Sequence, residues 1–395
     1  MANDLSYVIV TPYTIAKSRT GGVLSRLLSR TDLELVGAQI FTPDDAFAKE
    51  YGQNLRNRSP QNHVMLLADY VEQNIAPSGG RPHRTLLLLF RGDNPCEQLT
   101  ATCGHLYTQH IEVDAMSGET VRDTYADMIY SKDDPDVVSY FEPAVLTPRN
   151  QDEADEGLRM MAKFLEGKEN IVQNLTYPDP SKIEQTLVII KPENWKDHTS
   201  RPGAVIDMFS RTGLRIVGIK VHRFSLAEAM SFYGPVEAVL KEKLSPVFGK
   251  RAKALLEREF NFTLSEEATK ALTSSFGVEC AKDQFAQIVE FMSGKRPPSK
   301  DDGYRYMEEV KKLDDPKCMI LIYEGENAVK KIRDVLGPTD PLKAPKGTVR
   351  REFGSNVMVN TAHASDSVES YNREKEIVKV NDNSLSKIIK EQLGC

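Results

Sequence analysis

The stretch "SRTGLRIVG", residues 210–218, has a counterpart earlier in the chain, "SRTDLELVG", at residues 29–37. In both copies a polar segment leads into an apolar run of strand length. Further segments of the two halves match in the same order, at spacings of about 230 residues. These pairs are "RTLLLLFRGDN" (84–94) with "KCMILIYEGEN" (317–327), and "GETVRDTY" (118–125) with "GTVRREF" (347–353). We interpret the chain as a tandem duplication.

Strands and helices alternate in each repeat. In the second repeat the elements, in chain order, are the strand "LVII", an amphipathic helix over 205–209, the strand "LRIVGIKV", a helix capped by Ser225 and Glu228, the central strand "CMILIY", the helix "ENAVKKIRDVLG" closed by Gly337, and the last strand "NVMV". The order βαββαβ predicts an α+β fold with two tandem ferredoxin-like domains.

The predicted domains cover residues 1–178 and residues 179–395. Their boundary falls in "QNLTYPDPSKIEQ", residues 173–185, where prolines interrupt the helical periodicity. The second domain carries an insertion around residues 236–303 whose main part, rich in Ala, Leu, Glu and Lys, we expect to be helical. The final segment, residues 379–395, is either a short docking helix or a frayed tail.

Composition favours a soluble globular protein of 395 residues, with 40% hydrophobic and 27% charged residues. The net charge of −6 argues against a protein that coats nucleic acid, because that function needs a basic excess. We find no signal-peptide pattern and no apolar run of membrane-spanning length. The five cysteines are dispersed and lack a CxxC pair, which fits a reducing compartment. We therefore predict a cytoplasmic protein that binds neither nucleic acid nor a membrane.

No phosphate-binding glycine loop of either common type occurs in the sequence. If phosphate is handled here, side chains must surround it with cations and supply a nucleophile. The second repeat offers such side chains in Lys191, Arg333, Thr339, Arg350, Asn360 and His363. A neutral imidazole whose other nitrogen is held by a partner is a good nucleophile near pH 7. A helix begins near Asp366, and its spacing to Glu369 predicts a capping box.

Four segments resemble the successive motifs of nucleoside diphosphate kinases. They are "TLVIIKPENW" (186–195), "GENAVKKIRDVLGPTDP" (325–341), "KGTVRREF" (346–353) and "NVMVNTAHASDSVES" (356–370). The last motif, NxxHxSDS followed by VES, is highly specific to that family. The resemblance covers most of residues 185–378 apart from the insertion, and extends more weakly over residues 6–125.

The resemblance assigns a role to each candidate side chain. It implies that His363 is phosphorylated, that Lys191 contacts the phosphates and the ribose, that Arg333, Thr339 and Arg350 grip the phosphates, that Asn360 binds the ribose, and that Tyr233 lies beside the histidine. The glutamate that orients the histidine is Glu374 if the spacing is kept. A one-residue insertion would place Glu376 there instead.

The implied reaction moves the γ-phosphate of ATP or another nucleoside triphosphate to a nucleoside diphosphate. It would follow a ping-pong mechanism through phospho-His363. We expect Mg²⁺ to be bound through the nucleotide phosphates, without a dedicated metal site on the protein. The alternative function is that of a nucleotide-binding regulatory or scaffold protein with little turnover.

Two departures from the family pattern bear on this prediction. Ala364 replaces a glycine after the histidine and would crowd the backbone if that position needs a positive φ. In the first repeat Thr11 replaces the lysine, and the segment 127–148 contains no histidine, although Arg122 corresponds to Arg350. We expect the first repeat to be an inactive copy that pairs with the second as an intramolecular pseudo-dimer. Further homo-oligomerisation is left open.

Overall fold

The computed structural model describes residues 3–59, 61–106, 118–134, 137–173, 175–196, 198–297, 316–382 and 385–394. By their contacts these residues form two compact units, here called unit 1 (Met1–Val221 and Met319–Cys395) and unit 2 (His222–Cys318). Unit 1 contains the sheets of both sequence repeats, so the division predicted at residues 178/179 stays a prediction. Part of the insertion predicted around residues 236–303 lies outside the described residues.

The first half of the chain forms a four-stranded sheet with helices on both faces. Its elements are β1 (Asp4–Val10), α1 (Pro12–Ala16), α2 (Thr20–Arg30), β2 (Glu34–Phe41), α3 (Asp45–Arg58), α4 (Asn62–Asn74), β3 (Thr85–Gly92), α5 (Pro95–Cys103), α6 (Val121–Tyr125), β4 (Asp127–Tyr130), β5 (Val138–Glu142), β6 (Val145–Leu146) and α7 (Gln151–Leu165). The strand order is β2-β3-β1-β6, and β4 and β5 pair separately as a hairpin. The central strands are buried on both faces, as the apolar run "TLLLLF" requires.

The second half repeats this arrangement. Its elements are β7 (Ile183–Ile190), α8 (Arg201–Ser210), β8 (Arg215–His222), α9 (Leu226–Phe260), α10 (Glu266–Leu272), α11 (Val278–Ser293), β9 (Cys318–Glu326), α12 (Ala328–Leu336), α13 (Val349–Phe353), β10 (Ala362–Ala364), α14 (Val368–Ile377) and α15 (Leu385–Leu393). The sheet order is β8-β9-β7-β10, the same order as in the first half. The predicted α+β class and the central position of "CMILIY" in β9 are confirmed.

Local signals in the sequence set several helix ends. Ser225 and Glu228 form both bonds of the capping box at the start of α9. Gly337 ends α12 with a φ of 82°, a conformation that glycine adopts without strain. Both features confirm the prediction.

Two local predictions near the site are wrong. "NVMV" is not a strand, because the side chain of Asn356 accepts hydrogen bonds from the amides of Met358 and Val359 and bends the chain there. The strand begins later, at Ala362. The residue that caps α14 is Ser367, whose hydroxyl accepts from Ser370 N; the predicted capping box starting one residue earlier does not form.

Unit 2 is a helical body made of α9, α10 and α11, which confirms the predicted helical insertion. α11 buries Phe285 and Val289 and packs along α9. Among the described helices, none is both long enough and apolar enough to cross a bilayer.

The two halves of unit 1 contact each other through α2 and α8. Gly21 and Gly203 lie where the helices cross, and a Cβ atom added to either one would overlap with the carbonyl oxygen of the other. Glycine at both positions therefore lets the two backbones approach closely. One cluster of buried apolar side chains contains strand residues of both sheets, among them Val8 and Val188.

The last described helix, α15, packs on the first half of the chain against α7 and β2. Leu385 and Ile389 are buried in the same cluster as Leu158 and Leu165. The hydroxyl of Ser386 donates to a main-chain carbonyl of α7. Of the two alternatives for the final segment, the docking helix is the one observed.

Candidate active site

His363 lies in the middle of β10, at the edge of the second sheet, and pairs with Ile189 of β7. The residue that leads into this strand, Thr361, has a φ of 74°, which is uncommon for a β-branched residue. Two neighbours hold it in place: Glu193 accepts from Thr361 N at 2.8 Å, and the side-chain amide of Asn194 donates to Thr361 O at 2.8 Å. Burial raises the pKa of Glu193. The turn after β7 thus fixes the entry to the histidine strand.

The strain predicted for the alanine after the histidine does not arise. Ala364 continues β10 in an extended conformation, and the residue with positive φ is Thr361. An alanine therefore fits at position 364.

A short hydrogen-bonded chain orients the imidazole. His363 Nε2 lies 3.1 Å from Glu374 Oε2, and the same carboxylate oxygen accepts from Ser365 Oγ at 2.6 Å. Glu374 is 3% exposed, whereas Glu376 is exposed on the same helix, α14. Of the two glutamates left open by the sequence, the structure places Glu374 on the histidine.

Lys191 follows β7 directly and is almost fully buried, at 8% exposure. Its ammonium group donates to Asn360 Oδ1 at 2.7 Å and to Met358 O at 3.0 Å. The amide of Asn360 donates in turn to Thr339 O at 3.2 Å. The structure therefore brings three of the predicted site residues, Lys191, Asn360 and Thr339, into one hydrogen-bonded group.

Arg350 lies on α13 and ties two main-chain segments together. Its guanidinium donates to Gly337 O and to Ala362 O, both at 3.0 Å. The first carbonyl ends α12 and the second belongs to the residue before His363. The cation is thus held beside the histidine strand.

Arg333, in the last turn of α12, is exposed, as is Thr339 in the following loop. The charge of Arg333 contributes to the lowered pKa of Asp366. The pKa of Asp366 is lowered, first by the hydrogen bond from the Ser370 hydroxyl and then by the charges of Arg333 and His363. Arg333 and His363 therefore both contribute to the electrostatic environment of Asp366.

Tyr233 belongs to unit 2, on α9, where it is buried against the ring of Phe232. Its predicted role beside the histidine stays a prediction.

Sheet register identifies the equivalent positions in the first half. Val145 pairs with Val10, the last residue of β1, just as Ala362 pairs with Ile190, the last residue of β7. The residues that follow, Leu146 and His363, therefore occupy equivalent positions. Arg122 donates to Gly104 O and Val145 O, the two carbonyls equivalent to those held by Arg350.

In the described part of the first half, other residues stand at the positions of the histidine, the lysine and the glutamate. Thr11, in the position of the lysine, donates at 2.7 Å to the buried carboxyl group of Glu142. Gly157 lies eleven residues after Leu146, as Glu374 lies eleven residues after His363. A side chain at Gly157 would overlap with the hydroxyl of Tyr7.

Sequence reasoning missed Glu193, Asn194 and Ser365. The first two stand in the quoted motif "KPENW", where a carboxylate and an amide directly after a strand-ending lysine could have indicated a hydrogen-bonded turn. Ser365 stands in the histidine motif itself. In the described part of the chain, no group of three or more His, Cys, Asp or Glu side chains is placed to hold a metal ion.

Comparison with known proteins adds independent findings. A family model described as nucleoside diphosphate kinase matches residues 299–382. The nucleoside diphosphate kinase of Bdellovibrio bacteriovorus is 30% identical over 192 residues, covering 49% of this chain and 89% of the relative. That of Gluconacetobacter diazotrophicus is 31% identical over 192 residues, covering 48% of this chain and 89% of the relative.

Among solved structures, an NDP kinase from Pyrobaculum aerophilum aligns with a TM-score of 0.33 and 25% identity, covering 49% of this chain and 94% of that one. The two sequence relatives are matched over most of their own length at 30% identity or more. This chain therefore belongs to the nucleoside diphosphate kinase family.

Proposed function

We propose that the second half of the chain transfers the γ-phosphate of a nucleoside triphosphate to a nucleoside diphosphate through a phosphorylated His363. The observation that carries this proposal is the contact between His363 Nε2 and the buried carboxylate of Glu374. Family membership supports the same reaction class.

The contact selects the reactive nitrogen. When Nε2–H donates to the carboxylate, the lone pair of the neutral ring is on Nδ1. In the first step this lone pair forms a bond to the γ-phosphorus, and the bond from phosphorus to the bridging oxygen breaks, which releases the nucleoside diphosphate. In the second step a terminal phosphate oxygen of the acceptor displaces the ring nitrogen from phosphorus.

Positive charge develops on the ring when Nδ1 bonds to phosphorus, and the carboxylate of Glu374 stabilises that charge. The transferring group carries negative charge on its oxygens, which the cations of Lys191, Arg333 and Arg350 would offset. In this proposal Asn360 and Thr339, joined to the lysine by hydrogen bonds, position the nucleotide.

Magnesium fits this site as an ion bound mainly through the nucleotide phosphates, whose negative charge it would reduce. The carboxylates nearest the histidine already have partners: Glu374 accepts from Ser365, and Asp366 accepts from the hydroxyl of Ser370. A dedicated protein cage for the ion is therefore not part of the proposal.

The test is exchange of phosphate between ATP and a second nucleoside diphosphate, run beside labelling of the protein with γ-³²P-ATP. We expect exchange and acid-labile labelling in the wild type, and neither in His363→Ala. Labelling that survives at another residue would defeat the assignment. Tight nucleotide binding without exchange would favour the regulatory or scaffold function instead.

We further propose that the chain arose by tandem duplication and that its two halves form an intramolecular pseudo-dimer. The equal strand orders and the reciprocal contact of Gly21 and Gly203 support this. In this proposal the first half, with Leu146 in place of the histidine, does not transfer phosphate. The cytoplasmic location remains a prediction.

A further inference from the structure

A cavity of about 1010 Å³ lies in the first half of the chain, at the position that corresponds to the candidate active site. Leu146, the counterpart of His363 by sheet register, is part of its wall. The opposite wall is formed by the helical hairpin of α3 and α4. The volume of the cavity is at the upper end of the range of small-molecule pockets. The histidine, lysine and glutamate are replaced here, and a cavity lies beside their positions.

One side of this cavity is apolar. Leu55 from α3, Val64 and Leu67 from α4, and Leu146 all line it. The three helix residues are buried in the core cluster of the first half, so their positions are fixed by packing. A flat apolar group, such as a nucleobase, fits a wall of this kind.

The other side is cationic. Three guanidinium groups, those of Arg58, Arg122 and Arg149, line the cavity together with a single carboxylate, Glu153. The excess of positive charge acts on a neighbouring imidazole: the pKa of His63 is lowered, first by burial and then by the charge of Arg149. The lining as a whole therefore favours an anion.

Two of these guanidinium groups have a buried donor that is not used within the described structure. The Nε atoms of Arg58 and Arg122 are buried and make no hydrogen bond there, although the terminal nitrogens of both residues do. Arg122 is 6% exposed, and the Arg58 side chain is 9% exposed. A buried N–H without an acceptor costs stability, and a phosphate oxygen is an acceptor that would remove this cost.

The ion pairs of Arg58 are also loose. Its distances to the carboxylates of Glu153 and Glu156 are 3.7 Å and 3.5 Å, longer than a good charge-assisted hydrogen bond. Arg58 could therefore bind an incoming phosphate while it keeps its hydrogen bond to the main-chain carbonyl of Glu153.

We propose that this cavity binds a nucleoside diphosphate or triphosphate and holds it without transferring its phosphate. The choice of ligand class rests on the proposed function of the second half, whose site occupies the equivalent position in the fold. The base would lie against the apolar wall, and the phosphates would face Arg58 and Arg122, whose Nε donors are unused, with the charge of Arg149 also in the lining. Because leucine stands where the other half has its histidine, the bound nucleotide meets no nucleophile.

The test uses the full chain and photolabelling with 8-azido-ADP, followed by peptide mapping. We expect label in peptides covering residues 61–67 or 138–153, in addition to the second half, and protection of these peptides by excess ADP. Label confined to the second half, or first-half label that ADP does not reduce, would overturn the proposal.

Matched variants locate the ligand. Arg58→Gln should reduce first-half labelling about tenfold or more, because it removes a charged hydrogen-bond donor. The control is Arg56→Gln on the same helix: Arg56 is paired with Asp69 and Glu72 and does not line the cavity, so labelling should not change. Leu66→Trp, which fills the cavity while keeping its charges, should also abolish first-half labelling. Equal labelling in all three variants would refute the site.

The outcomes separate this inference from the proposed function. Phosphate exchange without first-half labelling would leave the kinase proposal intact and overturn the second site. If excess ADP reduces first-half labelling in a protein that shows no phosphate exchange, the second site is supported and the kinase proposal is overturned.

Discussion

The orienting role of Glu374 can be tested by replacing it with glutamine. The substitution keeps the shape of the side chain and removes its charge. In the structure one carboxylate oxygen accepts from both His363 Nε2 and Ser365 Oγ, in a site that is 3% exposed. The change therefore acts on a buried, charge-assisted contact rather than on packing.

The expected loss follows from the energy of such contacts. A hydrogen bond to a charged group contributes about 1.5–3 kcal/mol. The carboxylate should stabilise the ring more strongly once the ring is positively charged, so this energy appears in the barrier to phosphorylation. It corresponds to a decrease of roughly 10- to 150-fold in the rate of His363 phosphorylation.

The assay is single-turnover phosphorylation by γ-³²P-ATP, with thermal unfolding measured to show that the variants are folded. The matched control is Glu376→Gln, two residues along α14 and exposed, which should change the rate by no more than about twofold. Equal rates for the two variants would refute the argument. A large loss in the Glu376 variant alone would assign the orienting role to that residue instead.

Two further predictions concern the first half and the contact between the halves. Leu146→His, made in the His363→Ala background, should produce no acid-labile phosphate, because Thr11 and Gly157 stand where the second half has its lysine and its orienting glutamate; labelling of the double variant by γ-³²P-ATP would contradict this. Gly203→Ala places a Cβ against the carbonyl of Gly21 and should destabilise the fold by about 1–3 kcal/mol, measured by chemical denaturation. Gly234→Ala, at a helical position where a Cβ meets nothing within 4 Å, is the control and should not destabilise it. Equal effects of the two alanines would show that the helix crossing does not depend on close approach.

The strands and helices were predictable because short local patterns in the sequence specify them. The buried run of β9 and the caps at Ser225 and Gly337 depend on residues a few positions apart, and the structure has them as expected. The error at "NVMV" has a local cause too. The side-chain oxygen of Asn356 accepts hydrogen bonds from the amides of Met358 and Val359, which competes with strand pairing, and apolar periodicity does not reveal this.

The sequence by itself determined the repeated alternation of strands and helices and the set of residue types that could handle phosphate. Only the tertiary structure decided which glutamate meets the histidine, since Glu374 and Glu376 differ by their direction from the helix axis and not by their chemistry. It also decided that the first half keeps a cavity beside Leu146, because a cavity depends on how helices far apart in sequence pack, and no local pattern encodes that.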